Sequence, residues 1–175
     1  MAYFLPPFQR RGIDALSKEP AVIFDMDGTL CDVTSIRHYV LDLRRRNYHA
    51  FHYLSIFCPP HEWVKAEAHK HHAEGTINLV VTARREQWGY LTEGWLIQND
   101  IPHRSIHMRK QDDDRKDKII KSEILDGLLD RYDIVHAYDD NPSIIELWAE
   151  RNIPHTIVPG WSEGYISINK KGRHG

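Results

Sequence analysis

Short, solid apolar runs alternate along this chain with stretches in which apolar residues recur at helical spacing. Ala21-Val22-Ile23-Phe24 is too short for a helix and is followed by turn-forming residues. It predicts a strand over 21–25 that is buried on both faces. Similar runs predict strands at 77–81, 105–108, 134–138 and 155–158. Between them, Val64 and Ala68 mark a helix over 61–74 with Gly75 at its C-terminal end. Trp88, Leu91 and Trp95 mark a helix over 85–98, and Ile120, Ile124 and Leu128, with Leu125 and Leu129, mark one over 115–130. Pro142, favoured in a first helical turn, opens the last, to about Arg151. Strand and helix alternate throughout, which predicts an α/β, doubly wound parallel five-stranded sheet with helices on both faces. The boundaries expected are a single domain over 1–175, with a core of about 20–160, a polar and aromatic flap over 31–60 and a tail over 161–175.

Composition narrows the class. Apolar residues make up 41% and charged residues 27% of 175 residues, as in ordinary globular proteins. No apolar run approaches the roughly 18 residues of a membrane span, and the first twenty residues do not read as a secretory leader. Two cysteines, Cys31 and Cys58, do not make a disulfide scaffold, so a cytoplasmic location is expected. A net charge of −2 does not advertise nucleic acid, and the clusters at 44–46, 109–110, 115–116 and 170–171 read by themselves as solvated surface.

The chemistry gathers at strand ends. Asp25-Met26-Asp27-Gly28-Thr29-Leu30 follows the first strand. Alternate residues of an extended segment point the same way, so Asp25 and Asp27 emerge together where open α/β sheets bind ligands. Two close carboxylates call for a cation, and Mg²⁺ suits them. The turn at Gly28 and Thr29 offers backbone N–H groups to an anion. The second strand ends in Thr82-Ala83-Arg84: Thr82 reads equally as a phosphate contact or a helix cap, and Arg84 as a fork for a phosphate. The fourth ends in Asp139-Asp140-Asn141, an oxygen cage for a hard cation. Here Asp139 is expected as a direct ligand and Asp140 as an indirect one. Read alone, this triplet is an Asx turn capping a helix. Between them lies 109–121, ten of whose thirteen residues are charged.

Taken in order, these motifs resemble those of the haloacid-dehalogenase-like (HAD) phosphatases. The stretch Gln111–Lys121, Arg84, and Asp139-Asp140 followed by Glu146-Leu147-Trp148 further resemble the 3′-phosphatase domain of bacteriophage polynucleotide kinase/3′-phosphatase. The resemblance implies Asp25 as nucleophile and Asp27 as general acid/base, the latter with a raised pKa. It places Thr82 and a lysine on the phosphoryl group: Lys116 fits best by position, ahead of Lys121 and Lys118. It puts Mg²⁺ on Asp25, Asp27 and Asp139, with Asp140 behind. Arg37, Arg84, Asp113 and Arg115 are then expected to position the substrate. The implied function is a Mg²⁺-dependent polynucleotide 3′-phosphatase acting on DNA or RNA ends through an aspartyl-phosphate. No Gly-x-x-x-x-Gly-Lys-Ser/Thr occurs, so kinase activity is not expected. A separate kinase or ligase partner and a homo-oligomer are left open. The alternatives are a small-molecule HAD phosphatase, such as a nucleotidase, and a catalytically silent binding protein.

Overall fold

The computed structural model describes residues 18–42 and 44–160; the expectations for the lead-in before Lys18 and for the tail lie outside the described residues. Five parallel strands form one sheet in the order β3-β2-β1-β4-β5. They are β1 (Glu19–Phe24), β2 (Ile77–Arg85), β3 (Ser105–Arg109), β4 (Tyr132–Asp139) and β5 (His155–Ile157). Among the described residues six helices accompany them: α1 (His38–Leu41), α2 (Tyr48–Leu54), α3 (Glu62–Ala73), α4 (Gly89–Gln98), α5 (Asp117–Leu129) and α6 (Pro142–Glu150). Short 3₁₀ turns at Ser55–Phe57 and Glu86–Trp88 follow α2 and precede α4. The doubly wound architecture is therefore the one that the apolar pattern predicts. None of the helices among the described residues is long and apolar enough to cross a membrane.

Strand β1 is central, and its side chains alternate between two cores. Val22 and Phe24 pack with Val64, Ala68, Trp95 and Leu96 from α3 and α4. Ala21 and Ile23 pack with Leu125, Leu128, Ile144 and Trp148 from α5 and α6. Burying each large apolar side chain contributes about 1.5–3 kcal/mol, which fixes the register, since a slip of one residue would exchange the two faces. The same parity carries Asp25, just past β1, and Asp139, the last residue of β4, toward the α5 side with Ile23 and Ala137.

β1 pairs with β2 on one side and β4 on the other, so the connections depart in opposite directions from its C-terminal end. That leaves a crevice where the sheet's topology switches. The segment from Cys31 to Pro60 rises over it, and its two ends are tied at the base. Asp32 N donates to Pro59 O at 2.9 Å, and His61 N to Leu30 O at 2.9 Å. The segment is helical, with α1, α2 and the first 3₁₀ turn in succession.

Candidate active site

Asp25 is the first residue past β1. Its amide donates to Tyr138 O at 3.0 Å, which binds the turn to β4. Gly28 then takes φ +92°, where a side chain is strained, and a Cβ there would collide with the Asp140 carboxylate. The glycine is thus required by the close approach of β4's end. Its own amide is taken by Cys31 O at 2.9 Å, so it is not the anion donor expected from the sequence. Thr29 is fully buried away from the crevice, and its Oγ1 has no hydrogen-bond partner.

Three carboxylates meet in this crevice. Ligand oxygens of Asp25, Asp139 and Asp140 lie within 4.8 Å of one another, and all three residues are buried. Lys121, from the second turn of α5, donates to Asp25 Oδ1 at 2.6 Å and to Asp139 Oδ2 at 2.7 Å. Lys121 shares the buried face of α5 with Leu125 and Leu128, one and two turns on, which explains its reach. The structure therefore brings Lys121 to the carboxylates, not Lys116, which stands exposed at the N-cap. Lys118 pairs instead with Glu146 and Glu150 on the surface.

The charge balance is incomplete. Burial alone would depress the Lys121 ammonium, but Asp139 and Asp25 hold its pKa above the ordinary value. Burial, offset by Lys121 but reinforced by the charge of Asp139, pushes Asp25 up to about 7. Burial and the charges of Asp25 and Asp139 push Asp140 up to about 9. Asp140 Oδ2 is buried with no hydrogen-bond partner. Asp139 is better satisfied, since its Oδ1 accepts from Asn141 N at 3.0 Å. Asn141 in turn caps α6 through Ser143 N. An orphaned carboxylate oxygen beside two further carboxylates suits a divalent cation with oxygen ligands. On this geometry Asp140 offers the vacant oxygen, whereas the sequence suggested Asp139 as the more direct ligand.

Asp27 stands apart from that group, and its carboxylate faces Arg84. The Arg84 guanidinium donates through Nε to Asp27 Oδ2 at 2.8 Å and through Nη2 to Oδ1, a bidentate pair. It also donates to Thr92 Oγ1 at 3.1 Å and to Ser55 Oγ at 2.9 Å. With its side chain fully buried and its donors engaged, Arg84 is a clamp on Asp27 and not a free phosphate fork. Burial raises the Asp27 carboxyl, but the charge and hydrogen bonds of Arg84 outweigh it, and the pKa lies below its ordinary value. The raised value expected for this residue is thus reversed; Asp25 and Asp140 carry the upward shifts. His52 Nδ1, from α2, lies 3.9 Å from Asp27 Oδ2.

These groups line a cavity of about 510 Å³ that includes Asp25, Asp27, Thr82, Arg84, Lys121, Asp139 and Asp140. Thr82 is buried at its edge, where its hydroxyl accepts from Arg84 N at 3.2 Å, which orients the strand end. Arg115 reaches the rim, held by Asp113 and Glu123. Asp113 serves that ion pair: hydrogen bonds from Arg115 lower its pKa to about 2. Arg37 lies outside this lining. It is buried, donates to Gly160 O beyond β5, and feels the charges of Asp140 and Asp32. Sequence reasoning missed Arg109, which donates to Ala83 O, Asp113 O and Arg115 O and so shapes the charged loop from within. It also missed His52 and Trp88 as cavity walls.

The comparison with protein families decides the relationship. The family described as the polynucleotide kinase PNKP phosphatase domain matches residues 19–158. The chain belongs to that family. It is accordingly a HAD-type phosphatase domain. No curated protein matches the sequence. Among solved structures, a chain of the Pnkp1/Rnl/Hen1 RNA repair complex superposes with TM-score 0.69 at 24% identity, covering 81% of this chain and 42% of that one. A second structure of a Pnkp1/Rnl/Hen1 complex gives 0.68 at 24%, covering 90% and 51%. The class C acid phosphatase of Bacillus anthracis with tungstate bound gives 0.61 at 14%, covering 83% and 68%. At these identities the likeness shows the HAD fold. The chain spans about half or less of the two repair-complex chains.

Proposed function

We propose that this chain is a Mg²⁺-dependent polynucleotide 3′-phosphatase that works through an aspartyl-phosphate on Asp25. The observation that carries the proposal is the Asp25–Lys121–Asp139 arrangement at the C-terminal end of β1, with Asp27 facing the same cavity, in a chain of this family. Asp25, Asp139 and Asp140 are the side chains that would hold Mg²⁺, which supplies positive charge to offset the phosphate's repulsion from the nucleophile. Asp25 Oδ attacks phosphorus as the bond to the 3′ oxygen breaks, which divides one difficult displacement into two. Lys121 pulls Asp25 toward its ionised form against the effect of burial and neutralises charge on the phosphoryl oxygens; Thr82 donates from the neighbouring strand β2.

Asp27 handles the protons. Arg84 fixes its carboxylate in orientation and, in the substrate-free protein, in the ionised state. The proton delivered to the leaving oxygen is therefore taken up as the anionic phosphoryl group arrives, because a like charge beside a carboxylate raises its proton affinity. In the second half-reaction the ionised, Arg84-oriented form is the one required to deprotonate the attacking water. We assign no kinase activity to these 175 residues. A setting in nucleic-acid repair, beside a separate kinase or ligase, fits a fold shared with chains of an RNA repair complex.

The test compares phosphate release from a 3′-phosphorylated oligonucleotide, its 5′-phosphorylated counterpart and a mononucleotide, each with Mg²⁺ and with EDTA. The proposal expects Mg²⁺-dependent release that favours the 3′ end. Equal release from all three would reduce the chain to a general phosphatase, and none would make it a binding protein.

A further inference from the structure

The mechanism uses one wall of the cavity and leaves the flap wall unexplained. From α2 and the turn before α4, Tyr48, His49, His52 and Trp88 face the cavity with Arg46 beside them. Resting on the 3′-phosphatase reading, we infer that this wall is a subsite for the 3′-terminal nucleotide of a single strand: sugar against His52 and Trp88, base on Tyr48, and the next phosphodiester at Arg46.

The order of the groups carries the argument. A leaving oxygen that takes its proton from Asp27 must sit beside that carboxylate. Beside that carboxylate stands His52, whose Nδ1 is 3.9 Å from Asp27 Oδ2, and packed on His52 in the same cavity wall is Trp88, with 5.5 Å between their ring centres. The sugar bearing that oxygen therefore packs against them. His52 Nδ1 is buried without a hydrogen-bond partner, so a polar sugar group is the kind of neighbour it lacks. One turn outward along α2, Tyr48 lies nearly parallel to His52, at 21° and 6.3 Å between ring centres, and half of its surface is exposed. A base attached to that sugar reaches this ring, and stacking on an aromatic face is the sequence-tolerant way to hold a single strand. Arg46 is within hydrogen-bond distance of the Tyr48 hydroxyl at 3.0 Å, and its charge stands 5.9 Å from the ring centre. A cation beside the base platform suits the phosphodiester on the base's 5′ side, which a free mononucleotide lacks.

The test is steady-state kinetics on three substrates: a single-stranded 3′-phosphorylated oligonucleotide, the same strand ending in an abasic sugar 3′-phosphate, and a nucleoside 3′-monophosphate. Wild type is expected to prefer the based end over the abasic end by roughly 5- to 160-fold in kcat/KM, the range of base–aromatic stacking. Tyr48→Ala should collapse that ratio toward one, mainly through KM. Arg46→Ala should narrow the ratio of oligonucleotide to mononucleotide and flatten the salt dependence. Both positions are exposed, and thermal melting verifies that the variants fold. If Tyr48→Ala lowers both ends by the same factor, or wild type ignores the base, the subsite is refuted while the 3′-phosphatase reading stands. If wild type releases phosphate from none of the 3′ ends, that reading falls and the subsite with it.

Discussion

Lys121→Met removes a cation that the structure places between two buried carboxylates. Its side chain is 3% exposed, and its partners Asp25 and Asp139 are 9% and 0% exposed. Replacing one member of a buried ion pair by an apolar residue leaves uncompensated charge and costs about 3–5 kcal/mol. Part of the strain is relieved by protonation, because burial already pushes Asp25 to about 7 and, with its neighbours' charges, Asp140 to about 9. The loss should therefore be smallest in mild acid and grow as the pH rises. For a domain of this size, such a loss lowers Tm by about 6–20 °C. Lys116→Ala, at an exposed helix cap, should stay within about 0.5 kcal/mol of wild type. The assay is thermal unfolding of the three proteins at pH 6 and pH 8, with and without Mg²⁺, alongside phosphate release. Mg²⁺ should raise Tm more in Lys121→Met than in wild type, because the divalent charge replaces the missing ammonium. Activity should fall by about 10²–10³-fold in Lys121→Met and little in Lys116→Ala. If Lys116→Ala loses more activity, or Lys121→Met melts with wild type, the placement of Lys121 is not what governs this site.

Three further outcomes follow from the same geometry. Asp140→Asn should leave the Mg²⁺-free protein about as stable as wild type, because burial and the neighbouring carboxylates already hold the Asp140 carboxyl protonated, with its pKa pushed up to about 9, while abolishing the stabilisation by Mg²⁺ in a melting titration. Arg84→Lys cannot reproduce the bidentate clamp; the pKa of Asp27 should rise toward its ordinary value, and a pH–rate profile should show the corresponding limb displaced upward with kcat reduced at least 10-fold. Burial lowers His52 from 6.5 to about 4, with the opposing pull of Asp27 insufficient to restore it. The unfolded chain thus binds a proton at His52 that the native protein refuses, so stability should fall as the pH drops from about 6.5 to 4. Urea melts across that range should show a shallower fall for His52→Gln.

How much of this was legible in the sequence depends on which force fixes each residue. The strands and the strand-end aspartates could be read because solid apolar runs bury on both faces, and the parity of β1 carries past Phe24 to Asp25. The lysine was misplaced because helix α5 was read from its apolar residues alone. Lys121 occupies a buried position on the face of Leu125 and Leu128, and a charged residue in such a stripe is discounted by any count of hydrophobic spacing. Its presence there was itself the signal, since a buried lysine requires carboxylates. Arg84 was misread for a different reason: its partner Asp27 is 57 residues away, and no local pattern distinguishes a clamp from a substrate fork. The flap was legible only as a polar and aromatic insertion. Its helices are brief, and what aims His52 and Trp88 into the cavity is their packing against one another and beside Asp27.

The measurement that bears most directly on the central claim is phosphate release from a 3′-phosphorylated oligonucleotide by wild type and Asp25→Asn, with Mg²⁺ and after EDTA. The account predicts release by wild type that stops on chelation and is absent from Asp25→Asn, whose melting temperature shows it folded. Undiminished release by folded Asp25→Asn would contradict it.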